Sequence, residues 1–276
     1  MLPNPMSTKK DRLALNGKNQ VSLEHRTVVI ISDLHLTPKA PEALPLLEKF
    51  LISQDSMQEL YILGDLFEYW LGDDASAEMG YRPVEEILKT LVDDGVKVYF
   101  TAGNRDFLVG SGFASRTGVL ILGEVTTRTY LGHSTLLLHG DSLCTDDIRH
   151  QQFRSTVSSE KWRHEFLKKS IDERQRIGRA IRFQSDVEKR YKAADIMDVN
   201  QLTVETLLNS KSAQLLIHGH THRPGIHSWN LSETKYSRIV LGDWSSGASW
   251  IEIDRDSLRL YHDNAMVELT EDQIQI

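Results

Sequence analysis

Five aliphatic runs in this chain end in the same way. VVIISD (Val28–Asp33), LYILGD (Leu60–Asp65), VYFTAGN (Val98–Asn104), LLLHGD (Leu136–Asp141) and LLIHGHTH (Leu215–His222) each stop at Gly or Ser beside Asp, Asn or His. An unbroken run of bulky aliphatics this short reads as a strand buried on both faces. Between the first two runs, PEALPLLEKFLISQ has apolar residues at helical spacing with its prolines near the start, and PVEEILKTLVDDG before the third is a further helix closed by Gly95. Strand–helix–strand alternation predicts an α/β fold around a parallel sheet. The carboxyl ends of parallel strands collect along one edge, so the polar residues that close these runs are expected to meet there.

The rest of the chain has two other textures. SRIVLGDWSSGASWIEIDRDSLRLYHD, near the C-terminus, carries short strands with no helix between them, which predicts antiparallel pairing in a second sheet packed on the first. Residues 146–200 are helical in propensity and rich in both charge signs, and are expected to form several helices inserted over the strand ends. The organisation expected is a polar extension over 1–25, a core over 26–145 and 201–276, and the insertion over 146–200. MLPNPMSTKKDRLALNGKNQ has no apolar stretch after its basic residues and does not read as a secretory signal. Lys and Arg number 32 against 39 Asp and Glu, a net charge of −7, so the surface as a whole attracts neither nucleic acid nor an anionic membrane. Cys144 is the single cysteine, which rules out an intrachain disulfide and fits a reducing compartment. Its expected role is that of a small apolar core residue.

The closing residues have the chemistry of metal ligands: Asp33, His35, Asp65, Asn104, His139, His220 and His222. Imidazoles, carboxylates and one amide oxygen, with no thiolate, suit Mn, Fe, Co or Zn. Seven donors exceed what one ion needs; two ions about 3.5–4 Å apart, the arrangement used to attack phosphorus, accommodate them. Taken singly, an Asp at a strand end is turn chemistry and a buried His is a hydrogen-bonded core residue. Unrelated turns have no reason to repeat ligand chemistry at five successive strand ends, and that repetition favours the functional reading. His218 is expected to be a core residue, His227 has no assigned role, Asp106 and Asp141 are candidates for orienting ligands, and Asp243 is a further candidate near the site whose default reading is a turn residue.

The ordered motifs SDLHL, GDLFEYW, AGNRDF, HGDSLCTDD and HGHTHRP resemble the calcineurin-like metallophosphoesterases, from about Val28 to Ile253. GDLFEYWLGDD, LCTDD, IMDVN and IVLGDW narrow the resemblance to the UDP-2,3-diacylglucosamine diphosphatases of lipid A biosynthesis. The resemblance implies a four-layer α/β/β/α sandwich with an inserted helical lid and two Mn2+ ions. It implies hydrolysis of the lipid-linked UDP-sugar UDP-2,3-diacylglucosamine to UMP and 2,3-diacylglucosamine 1-phosphate, through attack of a metal-bridging hydroxide on the α-phosphorus. It also implies a cytoplasmic enzyme held peripherally at the inner membrane. By family pattern Asp33, His35, Asp65 and His222 hold one ion, and Asp65 bridges to a second completed by Asn104, His139 and His220. Asn104 and Arg105 are the expected catalytic pair. Substrate contacts are expected at Asn104, Arg105, Asp147, Arg182, Ser185, Lys189, Lys192 and His220. The chain departs from relatives at His150, where they carry Tyr, and at Lys189, where Asn is common. Arg105 replaces a histidine found in many phosphoesterases. A guanidinium is a poor proton donor but clamps phosphate oxygens, which suits a pyrophosphate whose leaving group needs little protonation.

In the insertion, Phe153 with Val157, Trp162 with Phe166, and Ile177 with Ile181 share faces at i, i+4. They suit either plain core packing or the lining of an acyl-chain groove. Two other functions remain open at this level: a phosphoesterase of soluble nucleotides or UDP-sugars, and a phosphoesterase-like scaffold without chemistry, which should have lost ligands. No nucleic acid and no obligatory protein partner are expected.

Overall fold

The computed structural model describes residues 27–189 and 196–270. The strands are β1 (Thr27–Ile31), β2 (Met57–Leu63), β3 (Lys97–Thr101), β4 (Leu120–Ile121), β5 (Thr126–Tyr130), β6 (His133–Leu137), β7 (Leu215–His218), β8 (Gly225–Leu231), β9 (Thr234–Val240), β10 (Trp250–Ile253), β11 (Leu258–His262) and β12 (Ala265–Glu268). The helices are α1 (Ala43–Ser53), α2 (Arg82–Asp93), α3 (Ser111–Thr117), α4 (Ile148–Ser158), α5 (Glu160–Leu167), α6 (Ile171–Lys189) and α7 (Gln201–Ser210).

Two sheets form, with orders β12-β11-β10-β1-β2-β3-β4 and β5-β6-β7-β9-β8. Alternate residues of each strand enter different cores. Val29, Ile31, Leu60 and Ile62 join Leu47 and Phe50 of α1 and Ile87 of α2 on the outer face of the first sheet. Val28, Ile30, Tyr61 and Leu63 point the other way and meet Leu137, Leu215, Ile217 and Ile239 between the sheets. Leu136, Leu138 and Leu216 pack outward against Val204 and Leu208 of α7. The result is helix, sheet, sheet, helix. Each fully buried aliphatic side chain is worth about 1.5–3 kcal/mol, so the middle core alone gives the sheets strong cause to stay face to face.

Two expectations are corrected. The five runs do not share one sheet: β1, β2 and β3 lie in the first, and β6 and β7 in the second. A run buried on both faces reads alike whether it is covered by two helical layers or by a helix and a sheet. Nor does the C-terminal region form the second sheet by itself. β9 enters the second sheet parallel to β7, but β10 returns to the first and pairs antiparallel with β1, with β11 and β12 beyond it. The antiparallel pairing expected there is present at β10, β11 and β12.

Helices α4, α5 and α6 stand between β6 and β7 in the chain. Asp147, Ser159 and Asn200 cap α4, α5 and α7, each accepting a backbone N–H with its side chain. Phe166 is buried in the outer core, with Trp162, Ile171 and Ile177 packed against it. Arg174 pins α6 down: its Nη1 donates to Leu71 O at 2.6 Å and to Asp74 Oδ1 at 2.8 Å. These helices therefore rest on the body of the fold. Among the described residues, no helix is long and apolar enough to cross a membrane.

Candidate metal centre

β1, β2, β3, β6 and β7 end side by side, and the turns that follow them touch. Asp33 N donates to Gly64 O at 3.2 Å, His35 N to Asp65 O at 2.9 Å and Gly219 N to His139 O at 2.9 Å. Asp33, His35, Asp65, His220 and His222 all adopt left-handed backbone, with φ of 58°, 50°, 51°, 66° and 54°. Such a conformation costs a non-glycine residue roughly 1–2 kcal/mol, and its concentration at one place marks a site held against local preference. Two glycines are required by closeness. A Cβ on Gly103 would lie 2.2 Å from Asp65 Oδ1, and one on Gly219 would lie 2.1 Å from Ser32 Oγ and 2.2 Å from Asp33 Oδ2.

Two ligand groups form here. Asp33, His35 and His222 bring one donor atom each within 4.8 Å of one another, as do Asp33, Asp65 and His139. Asp33 belongs to both. Its Oδ2 accepts from Ser32 Oγ at 2.6 Å and from His220 N at 2.9 Å, while Oδ1 lies 3.1 Å from His222 Nε2. His35 Nε2 lies 3.4 Å from His222 Nε2. Asn104 Oδ1 sits 3.1 Å from His139 Nε2, which is 3.6 Å from Asp65 Oδ1. His220 meets the ring of His139 edge-on and stacks on that of His150, at centroid distances of 5.0 and 5.3 Å.

The donors fit divalent cations in their tautomers as well as their type. His139 Nδ1 lies 2.8 Å from Leu63 O, and His222 Nδ1 lies 2.9 Å from Asp243 Oδ2. A metal-ligating imidazole is normally oriented through its other nitrogen in this way. The Nε2 atoms are then left to face the cluster. Asp243, whose default reading in sequence is a turn residue, thus orients the His222 ring. Asp106 supports the backbone: its carboxylate accepts from Gly103 N at 2.8 Å, Leu66 N at 2.8 Å and Asp65 N at 3.2 Å. Asp141 pairs with Arg154 at 2.9 Å. His218 is a core residue: Nδ1 meets Gly219 O at 2.8 Å and Arg238 Nη1 donates to Nε2 at 3.1 Å. Burial, then the Arg238 charge, depress its pKa to about 3.

Without cations, protons occupy this electronegative seat. Burial alone would depress His139, but the Asp65, Asp33 and Asp141 carboxylates overcome it and raise the pKa to about 9. Burial likewise opposes the hydrogen bonds of His222 to Asp243 and Asp33, which raise it to about 9. Burial would raise Asp33, yet the His222 hydrogen bond and the surrounding imidazoles hold it at about 2. A histidine whose pKa rises from 6.5 to about 9 on folding binds more protons in the folded state between those values. Its stabilisation is complete below pH about 6.5 and is lost as pH rises through about 9. In thermal scans after chelation, these two groups should lower the melting temperature from pH 6.5 to 9. A divalent cation, which displaces those protons, should flatten or reverse the slope. An unchanged slope with and without cation would contradict the assignment.

Beside the centre, and meeting it at Asn104, is a cavity of about 640 Å3 under α4–α6. Asn104, Arg105, Arg182 and Ser185 line it, as do Phe107, Phe153, Trp162, Phe166 and Ile181. The insertion therefore both packs on the core and lines a groove, and Phe166 takes part in each. Arg105 is nearly buried, with its side chain 10 % exposed and Nε 3.9 Å from Asp65 Oδ2. That Nε has no hydrogen-bond partner among the described residues, as befits a group placed to receive an anion. Asp147, expected to contact substrate, accepts from His150 N at 3.1 Å as the α4 cap. Lys192 and the side chain of Lys189 lie outside the described residues. Glu68 and Ser32 are absent from the expected site, and Asp243 is a candidate near it only behind its default turn role. Their partners are remote in sequence or their context is ordinary turn chemistry, although the GDLFEYW, SDLHL and IVLGDW motifs run through them.

A family model described as calcineurin-like phosphoesterase matches residues 26–224. The chain is 40 % identical over 243 residues to the UDP-2,3-diacylglucosamine hydrolase of Vibrio parahaemolyticus, covering 85 % of this chain and 97 % of that one. It is 42 % identical over 229 residues to the protein of the same name from Aromatoleum aromaticum, covering 83 % and 93 %. Over 229 residues it is 44 % identical to that from Neisseria meningitidis serogroup A, covering 82 % and 93 %. With the donor-bearing strand ends and these matches together, the chain belongs to the calcineurin-like phosphoesterases, among the UDP-2,3-diacylglucosamine hydrolases.

Proposed function

We propose that this protein hydrolyses the pyrophosphate bond of UDP-2,3-diacylglucosamine to UMP and 2,3-diacylglucosamine 1-phosphate, a step of lipid A biosynthesis. The observation that carries the reading is a cavity of mixed polar and apolar lining beside the donor cluster, reached from it through Asn104 and Arg105. A polar nucleotide diphosphate joined to two acyl chains has the same division of character. Asp33, His35, Asp65 and His222 would hold one cation, and Asn104, His139 and His220 with a bridging Asp65 a second, manganese in the reading we favour. Bound there, the cations supply charge neutralisation and acidify the attacking water.

The chain's own residues do the rest. Arg105, aimed past Asp65 into the cavity mouth, clamps phosphate oxygens and stays charged throughout. Asn104 presents its amide to the same phosphate. Arg182, Ser185, Lys189, Lys192, Asp147 and His220 complete the contacts to the sugar phosphate. The apolar lining takes acyl chains and excludes water. Residues 146–200 then act as a lid on a core of 26–145 and 201–276. The enzyme works peripherally at the cytoplasmic face of the inner membrane, with Ile148 and Phe183, both well exposed, and neighbouring basic residues facing lipid.

The test is product analysis in 18O-water, with purified protein, Mn2+ and UDP-2,3-diacylglucosamine in detergent. Label is expected in UMP; label in the sugar phosphate rejects attack at the α-phosphorus. Equal turnover of a lipid-free UDP-sugar would instead favour a soluble nucleotide pyrophosphatase.

A further inference from the structure

Three imidazoles of the centre meet a supporting oxygen through Nδ1. For His139 and His222 the supports, Leu63 O and Asp243, belong to the body of the fold. For His35 the neighbouring oxygen is Glu68 Oε2, 3.3 Å from Nδ1, an ion-pair contact without hydrogen-bond geometry among the described residues. Leu63 O and Asp243 have their second partners, Ser32 and Ser245, close by in the body of the fold, whereas that of Glu68 is on the lid: its Oε1 is 2.5 Å from Arg182 Nε on α6. The carboxylate is mostly buried, its side chain 17 % exposed, and each oxygen faces one of the two partners.

We infer that Glu68 is a positioning residue shared by the metal centre and the lid, so that cation binding at Asp33, His35 and His222 and docking of α6 strengthen each other. One oxygen lies against His35 Nδ1 as a charge partner and favours the ring orientation in which Nε2 faces Asp33 and His222. The other is held by Arg182, which stops the carboxylate from rotating away. Nearer the start of α6, Arg174 anchors the helix to Leu71 and Asp74 independently. Release of Arg182 therefore frees the later turns of α6 without detaching the helix. Coupling of this kind is reciprocal: whatever factor docking adds to cation affinity, the cation adds to docking.

The inference rests on the two-cation reading, and its test separates the two. Mn2+ binding is measured by calorimetry and by electron paramagnetic resonance, and hydrogen exchange of α6 is followed with and without Mn2+. In the wild-type protein Mn2+ should slow exchange in the later turns of α6. Glu68→Gln keeps the shape of the side chain but removes its charge. It should weaken one Mn2+ site about 10–100-fold, the usual effect of losing a partner that orients a ligand, and abolish the effect of Mn2+ on α6. Arg182→Ala, at a partly exposed position that folding tolerates, should speed exchange of α6 and weaken the same site about 5-fold or more. If Glu68→Gln fails to fold, Arg182→Ala alone decides. Wild-type affinity in either variant, or α6 exchange indifferent to Mn2+ in the parent, overturns the coupling while leaving the metal centre in place. A parent protein that binds no Mn2+ overturns both.

Discussion

Gly219→Ala should disable the metal centre while leaving most of the fold in place. The new methyl group would sit 2.1 Å from Ser32 Oγ and 2.2 Å from Asp33 Oδ2, inside contact distance of the one carboxylate common to both ligand groups. Neither neighbour can retreat. Ser32 and Asp33 are fully buried, Ser32 Oγ is tied to Leu63 O, and Asp33 Oδ2 is held by Ser32 and by His220 N. The clash is relieved only by moving the β7 turn, which carries His220 and His222, away from β1. Overpacking of this kind costs about 1–3 kcal/mol of stability, and a shift of about 1 Å in the reacting geometry costs about 10²-fold in rate. Metal content measured by mass spectrometry should fall together with turnover. A Gly219→Ala protein with full metal and full activity would show that the two turns are not packed as described.

Arg105→Ala should produce the opposite split, with metal retained and turnover lost. The backbone N of Arg105 donates to Asp65 Oδ1 at 2.9 Å, a contact that alanine keeps. The guanidinium adds no ligand; it lines the cavity near Asp65, its Nε without a hydrogen bond among the described residues. Removing one donor to a developing charge costs about 10²–10³ in kcat. Lysine should recover little, because a point charge cannot reproduce a planar two-pronged contact. Loss of metal from Arg105→Ala would instead make the residue a structural support of Asp65.

The contrast between these variants follows from what the sequence makes legible. The donors stand out because the same chemistry recurs at the end of each aliphatic run, and topology then brings them to one edge. The division of those runs between two sheets does not stand out, since Ile30 and Ile217 are equally buried whatever covers them. Return of β10 to β1 is hidden for the same reason: SWIEI pairs as well with either sheet. The supports of the imidazoles are harder still. Asp243 sits in an ordinary Gly-Asp turn, and Glu68 acquires meaning only when His35 and Arg182 arrive from distant parts of the chain. Residues that hold a ligand are specified by tertiary position, with no local pattern to announce them.

The left-handed backbone of Asp33, His35, Asp65, His220 and His222 bears on what a substitution there would do. The backbone of each position would relax if glycine replaced it, but the contacts made by its side chain would be lost. At Asp33 that loss would take an acceptor away from two donors, Ser32 Oγ and His220 N. Backbone preference and side-chain bonding therefore pull in opposite directions at these turns, and the packing around them decides the outcome in favour of the side chains.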